Sequence, residues 1–333
     1  MSRRLILVTG GAGFIGSNIV ARLAGEPELE VAVCDTLGEA ESGKWRNLAK
    51  HPIADFMAPS QMWAWLEKHR QEVEVVIHMG AISSTLGSDV DEVLATNFGL
   101  SRDLFVWCAD HRKRFIYASS AATYGDGSRG FDDAQDTASL AALRPLNPYG
   151  WSKALFDLFA TRQASQGRAP PQWAGLKFFN VYGPNEAHKG AMRSVICQIW
   201  PDVAAGRAVR LFRSANPAYP DGDQKRDFVY VDDAAEVVAW LVDHAQVSGV
   251  FNLGSGEARS FRELAEAVFR AAGRDPLIDY VEMPKALEHR YQYFTQARME
   301  RLRTAGYGRA MTSLEAGVAA YVGRYISQSD PYR

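Results

Sequence analysis

This sequence predicts a doubly wound α/β fold: a parallel sheet covered by helices on both faces, followed by a smaller mixed α/β region. Three observations carry the prediction. Short apolar runs alternate with helical patterns through the first half of the chain. The runs are continuously apolar, as strands buried on both faces are. The first run also feeds a glycine-rich turn that opens a helical pattern, the start of a βαβ unit.

In order, Leu5–Thr9 reads as the first strand and Phe14–Ala24 as the first helix. Strands follow at Val31–Asp35, Val73–His78, Arg114–Ser119 and Gly175–Asn180. Helices at Pro59–Arg70, Asp91–His111 and Pro148–Gln166 lie between them. From about residue 181 the pattern loosens. Helices are expected near 191–205, 232–245, 260–272 and 312–327. Short strands are expected at Val209–Phe212, Phe228–Val231, Val250–Leu253 and Ile278–Val281. Residues 1–180 are thus expected to form one region and 181–333 mainly a second, with 226–256 returning to the first. SANPAYPDGDQ (214–224), rich in Pro, Asp and Gly, is expected as a surface loop.

The bulk properties exclude several function classes. A chain of 333 residues suggests about two domains. With 47% hydrophobic and 23% charged residues it is a globular composition. A formal net charge of −2 leaves no basic excess for nucleic acid or an anionic membrane. No apolar run reaches the ~18 residues of a membrane helix. MSRRLILVTGG imitates a signal peptide, but its apolar run ends in glycines and reads as a buried strand. Cys34, Cys108 and Cys197 are scattered, which fits a reducing cytoplasm and small buried hydrophobes. No His, Asp and Cys cluster has metal spacing, so no metal is expected.

TGGAGFIG (9–16) places Gly10, Gly13 and Gly16 between the first strand and the first helix. Glycine lets the backbone approach a pyrophosphate, and the helix N-terminus favours its charge. Asp35 ends the next strand and can hold a ribose 2′-hydroxyl. This is the pattern of a Rossmann-type dinucleotide site. Asp35 alone suggests NAD, whereas Lys44 and Arg46 in the loop that follows could neutralise a 2′-phosphate. NADP is the expectation, with NAD open.

YASSAATYG (117–125) ends the fourth strand, and YGWSK (149–153) opens a helix. Tyr149 and Lys153, four apart, share one helical face. A free tyrosine is a poor base at neutral pH, but a neighbouring cation favours its phenolate. Tyr149 can then take a proton from a hydroxyl as hydride leaves the same carbon. Ser120 or Ser119 would hydrogen-bond the reacting oxygen.

Taken in this order, these motifs resemble the extended short-chain dehydrogenase/reductase family, which includes nucleotide-sugar epimerases and dehydratases. The resemblance spans nearly the whole chain. It implies Ser120, Tyr149 and Lys153 as the triad, a nicotinamide site in the first region, and a nucleotide sugar in the second. The cofactor set it implies is Gly10, Gly13, Phe14, Ile15, Gly16, Asp35, Thr36, Lys44, Met79, Gly80, Ala81, Ser83, Asn97, Tyr149, Lys153 and Val181.

Six stretches are narrower: HMGAISST, YASSAATYG, FFNVYGPNEAHKGAM, QKRDFVYVDD, FNLGSG and RYQYFTQA. Together they look like the ADP-heptose 6-epimerase branch of that family. Leu86 after SST and the long 214–224 loop depart from its pattern and bear on the rim of the sugar site. That likeness implies substrate contacts at Ser84, Ser120, Asn180, Lys189, Gln198, Phe212, Arg226 and Tyr291. Arg226 suits a pyrophosphate because its planar fork binds two oxygens. His78 and His188 read as structural. The likeness also implies a homo-oligomer, a pentamer among the assemblies it suggests.

Its reaction gives Lys189 a role. C6 of the heptose has no carbonyl neighbour, so its proton is not acidic. Removing hydride, forming a 6-ketone and returning hydride to the other face avoids that problem. After rotation of the C6–C7 end, the oxygen no longer faces Tyr149, and Lys189 is the candidate second acid–base group. A phosphate contact and a solvated charge are the competing readings of Lys189. For the whole chain the rivals are another nucleotide-sugar epimerase, such as a UDP-hexose 4-epimerase, and a non-catalytic cofactor sensor. The absence of acidic residues in YASSAATYG counts against a dehydratase.

Overall fold

The computed structural model describes residues 3–83, 89–134, 136–285 and 291–333. Twelve strands are found among them: β1 (Arg4–Thr9), β2 (Leu29–Cys34), β3 (Asp55–Met57), β4 (Val73–His78), β5 (Arg114–Ser120), β6 (Trp173–Phe178), β7 (Asn180–Tyr182), β8 (Val209–Phe212), β9 (Lys225–Tyr230), β10 (Gly249–Leu253), β11 (Ala258–Ser260) and β12 (Ile278–Val281). The α-helices are α1 (Phe14–Ala24), α2 (Met62–Lys68), α3 (Val90–Leu94), α4 (Leu100–Asp110), α5 (Thr137–Ala142), α6 (Pro148–Ser165), α7 (Val195–Ala204), α8 (Val231–Asp243), α9 (Phe261–Ala271), α10 (Glu300–Thr304) and α11 (Leu314–Tyr321). Among the described residues no helix is long and apolar enough to cross a membrane.

Seven strands form one sheet in the order β10-β6-β5-β4-β1-β2-β3, with every pairing parallel. The order reverses between β1 and β4, the switch point where open α/β sheets bind ligands. Strand β1 shows why its run is continuously apolar. Ile6 and Val8 pack on one face with Ile19, Val20 and Leu23 of α1 and Val237, Val238 and Leu241 of α8. Leu5 and Leu7 pack on the other with Leu66, Leu104, Phe105 and Phe156 from α2, α4 and α6. Successive side chains enter opposite cores, as a strand's period of two requires.

A third core joins Ile196, Ile199 and Val203 of α7 to Leu211, Phe228, Leu264, Val268, Leu314 and Val318. It underlies a three-stranded sheet, β11-β9-β7, and a two-stranded one, β12-β8. Within 226–256, β10 joins the main sheet and α8 packs in its α1 layer, whereas β9 pairs with β7 and β11. The helical pattern at 91–111 is broken: α3 passes through a π-helical segment, Ala95–Gly99, into α4. The helix expected from 191 begins at Val195, after a 3-10 segment.

Candidate active site

One cleft of about 550 Å³ lies where the carboxyl ends of β1, β4 and β5 meet β7, α7 and α9. Its floor is the glycine turn. Gly10 has φ +66°, and a Cβ there would stand 2.5 Å from Gly80 N. A Cβ on Gly16 would stand 2.1 Å from Gly10 O. The turn is therefore packed backbone on backbone, so glycine keeps clear a cradle that a diphosphate fits.

Asp35 closes this end. Its carboxylate accepts from Ala12 N at 2.8 Å and Thr36 N at 2.7 Å, and pairs with Lys44 Nζ at 2.7 Å. Lys44 also donates to Thr36 O. Arg46, the other cation expected near a 2′-phosphate, instead lies over the Tyr332 ring at 4.3 Å.

The residues expected to be catalytic are assembled by the start of α6. Asn147 caps it, accepting from Gly150 N at 2.8 Å, and Pro148 occupies the first turn, where a missing N–H costs nothing. A Cβ on Gly150 would stand 2.6 Å from Ala122 O, so glycine lets this turn press against the one after Ser120. Tyr149 and Ser120 thereby come within hydrogen-bonding reach. Burial pushes the Tyr149 phenol up, and the Ser120 hydrogen bond works against it. Ser120 also caps the turn, accepting from Ala122 N at 3.1 Å. The neighbouring Ser119 is spent differently, donating to Asp157 at 2.7 Å. Lys153, one turn along, is 2% exposed. Burial brings its ammonium down to about 8, opposed by the charge of Asp157.

Lys189 lines the same cleft, with its ammonium 5.2 Å from the Phe14 ring centroid. Burial lowers its proton affinity, and the carboxylate of Glu186 partly restores it. Glu186 is 1% exposed and holds the loop to α7 by accepting from the Ser194 hydroxyl at 2.6 Å and from Ser194 N. His188 also lines the cleft; burial brings it down to about 4, so it is neutral at physiological pH. His78 is buried between Thr9 Oγ1 at 2.6 Å and Ser101 Oγ at 2.9 Å, a structural pin.

Of the residues expected to bind cofactor, Gly10, Gly13, Phe14, Ile15, Gly16, Asp35, Lys44, Met79, Gly80, Ala81, Ser83, Tyr149, Lys153 and Val181 line the cleft. Thr36 and Asn97 do not. Asn97 is fully buried, and its amide is consumed by Ile82 N, Ile82 O and Ser152 Oγ. Of the expected substrate contacts, Ser120, Asn180 and Lys189 line it. Ser84 and Leu86 lie outside the described residues. Gln198 is exposed and donates to Arg193 O at 2.7 Å. Arg226 lies a layer behind, between the rings of Phe261 at 5.5 Å and Tyr291 at 5.1 Å, and donates to Lys225 O. Phe212 sits on β8, away from the lining.

Sequence reasoning did not single out Arg193. It lines the cleft, and its Nε donates to Gly190 O at 2.7 Å. Among the described residues it forms no salt bridge, which leaves its charge available to an anion. The FFNVYGPNEAHKGAM stretch stops one residue short of it, and only its place between the Lys189 loop and α7 marks it out. Among the described residues no cluster of three or more His, Cys, Asp or Glu is placed to hold a metal.

The comparisons with known proteins agree with this geometry. The chain is 47% identical over 331 residues to an ADP-L-glycero-D-manno-heptose-6-epimerase of Nitratidesulfovibrio vulgaris (strain DP4), covering 98% of this chain and 100% of that one. The solved ADP-L-glycero-D-manno-heptose-6-epimerase of Helicobacter pylori superposes with a TM-score of 0.78 at 28% identity, covering 97% of this chain and 96% of that one. The UDP-glucose 4-epimerase of Thermus thermophilus, in complex with NAD, superposes at 0.73 with 29% identity, covering 96% and 98%. The model of the NAD dependent epimerase/dehydratase family matches residues 6–254, and the chain belongs to that family.

Proposed function

We propose that this protein is an ADP-glyceromanno-heptose 6-epimerase. It interconverts ADP-D-glycero-β-D-manno-heptose and ADP-L-glycero-β-D-manno-heptose, in the cytoplasm, for the lipopolysaccharide core. The observation that carries this reading is the 47% identity over 98% of the chain to a protein of that name. The cleft supports it by bringing Ser120, Tyr149, Lys153 and Lys189 together.

A bound nicotinamide supplies hydride removal from C6 and its return to the opposite face. The chain's own residues manage the proton. Tyr149 takes it from the C6 hydroxyl, Ser120 holds the oxygen, and the Lys153 cation favours the phenolate. The C6–C7 end of the 6-ketone then rotates, and Lys189 meets the oxygen in its new position. The lowered proton affinity of Lys189 suits that exchange. Asn180 and Arg193 face the sugar nucleotide from the rim.

NADP is the cofactor assigned, with NAD the alternative. The Asp35 charge, which would repel a 2′-phosphate, is countered by Lys44 and two backbone N–H groups. The assembly expected is a homo-oligomer.

Product analysis by NMR on both ADP-heptose epimers tests the reading, with the released cofactor identified by mass. C6 inversion is expected; its absence, with turnover of UDP-galactose instead, would replace the reading by a UDP-hexose 4-epimerase. Lys189→Met is expected to lose about 10²-fold or more in kcat. Near-normal kcat with only a raised KM would make Lys189 a phosphate contact.

A further inference from the structure

A segment distant in sequence, residues 330–333, packs behind the loops that border the cleft. Asp330 lies 2.9 Å from Lys50 and 3.5 Å from Arg46. Tyr332 receives Lys50 Nζ on its carbonyl at 2.7 Å and stacks under Arg46. Arg333 N donates to Asn185 Oδ1 at 3.0 Å. The Arg333 guanidinium donates to Asn18 Oδ1 at 3.0 Å and pairs with Asp232.

These contacts join three walls of one site. Lys44–Asn47 is the turn whose Lys44 pairs with Asp35 in the cleft. Its Asn47 donates to Ala12 O in the glycine turn at 2.9 Å and to Asn185 O at 3.2 Å. Asn185, with φ +72°, in turn donates to Ser17 Oγ on α1 at 3.0 Å. Asn185 also leads into the loop that carries Lys189. Arg333 therefore holds α1 and the start of α8 with its guanidinium and the Lys189 loop with its backbone N–H.

Magnitudes separate the contacts that matter. The side chains of Arg46, Lys50 and Asp330 are 44 to 49% exposed, so their pairs count for little. The Arg333 side chain is 21% exposed and makes charge-assisted bonds to two elements.

We propose that Arg333 is a positioning residue that locks the Lys44 and Asn185 loops over the bound dinucleotide and slows its release. This rests on the reading that the enzyme removes and returns one hydride in each cycle. The cofactor then ends each turnover as it began, so slow release costs no rate.

The experiment loads the full chain with NADPH and follows its dissociation on a chase with excess NADP, by nicotinamide fluorescence. Arg333→Ala frees the guanidinium's hold on Asn18 and Asp232, which fixes the backbone bond to Asn185 in place, and is expected to speed dissociation about tenfold. Arg333→Lys, which keeps the charge but not the two-sided reach, should fall between. Amide exchange of the cofactor-free variant should rise at 44–50 and 185–189 and nowhere in the main sheet. Dissociation within twofold of the parent for Arg333→Ala would overturn the proposal. So would faster dissociation accompanied by exchange throughout the sheet, since that is general destabilisation. A parent chain that binds neither NADPH nor NADH would overturn the cofactor reading itself, and this inference with it.

Discussion

Behind Tyr149 and Lys153 lies an ion pair outside the cleft lining. Lys177 of β6 and Asp157 of α6 are 2.8 Å apart, and both side chains are 0% exposed. Lys177 also donates to Thr123 Oγ1 at 2.7 Å. Asp157 accepts from Tyr117 at 3.0 Å and from Ser119 at 2.7 Å. The pair thus ties β5, the turn after Ser120 and the helix carrying Lys153. Lys177→Met removes the cation and leaves a buried carboxylate with two hydroxyl donors. Breaking a buried pair from one side costs about 3–5 kcal/mol. Each of the two hydroxyl bonds retained offsets about 1 kcal/mol, so a loss of about 2 kcal/mol is expected. Asp157→Asn combined with Lys177→Met removes both charges and should return to within about 1–2 kcal/mol of the parent. The double-mutant cycle would then show a coupling of at least about 1 kcal/mol. Urea unfolding followed by tryptophan fluorescence measures all four corners, with unchanged slopes checking that the same surface is exposed. A single-variant loss below about 1 kcal/mol, or an additive cycle, would refute the claim that this pair is held by its own attraction.

Two further outcomes follow from the site. Lys153 is a cation below about 8 and neutral above it; only the cation favours the Tyr149 phenolate, so kcat/KM should fall as pH rises through that value, and a profile flat to pH ~10, near the ordinary lysine value, would contradict this. Gly16→Ala sets a methyl 2.1 Å from Gly10 O, where only backbone could give way; the variant should be isolated without nicotinamide cofactor, and full retention measured by mass would show that the turn is not a tight cradle.

Much of the fold is legible because burial on both faces writes itself into composition. Strands β1, β2, β4, β5 and β6 are almost wholly buried, so each reads as a predominantly apolar run. Strand β3 escapes the same reasoning. It has three residues, two of them exposed, at the sheet edge, and such a segment carries no pattern. Helix α5 has one buried residue, Leu140, and announces itself only through its Asp136 cap. The π-helical segment Ala95–Gly99 is hidden for another reason: Asn97 bonds Ile82, a choice made by tertiary hydrogen bonds rather than by the local sequence.

The candidate site divides along the same physical line. Gly10, Gly16, Tyr149 and Lys153 are visible because backbone approach and helical spacing are local constraints, encoded within a few residues. What Arg46 faces is decided by partners far away in sequence. Spacing alone offers Arg46 to a phosphate, but Tyr332 and Asp330 take it. The family resemblance offers Arg226 to the substrate; Phe261 and Tyr291 flank it behind the cleft lining. In both cases an aromatic ring claims the flat guanidinium, whose weak hydration makes stacking cheap. Arg193 is the counterpart: no ion pair claims it among the described residues, so it remains at the cleft wall. Which arginines line the cleft is therefore settled by competition among long-range partners. That is why local motifs mark part of this cleft in the sequence while its arginine lining does not show there.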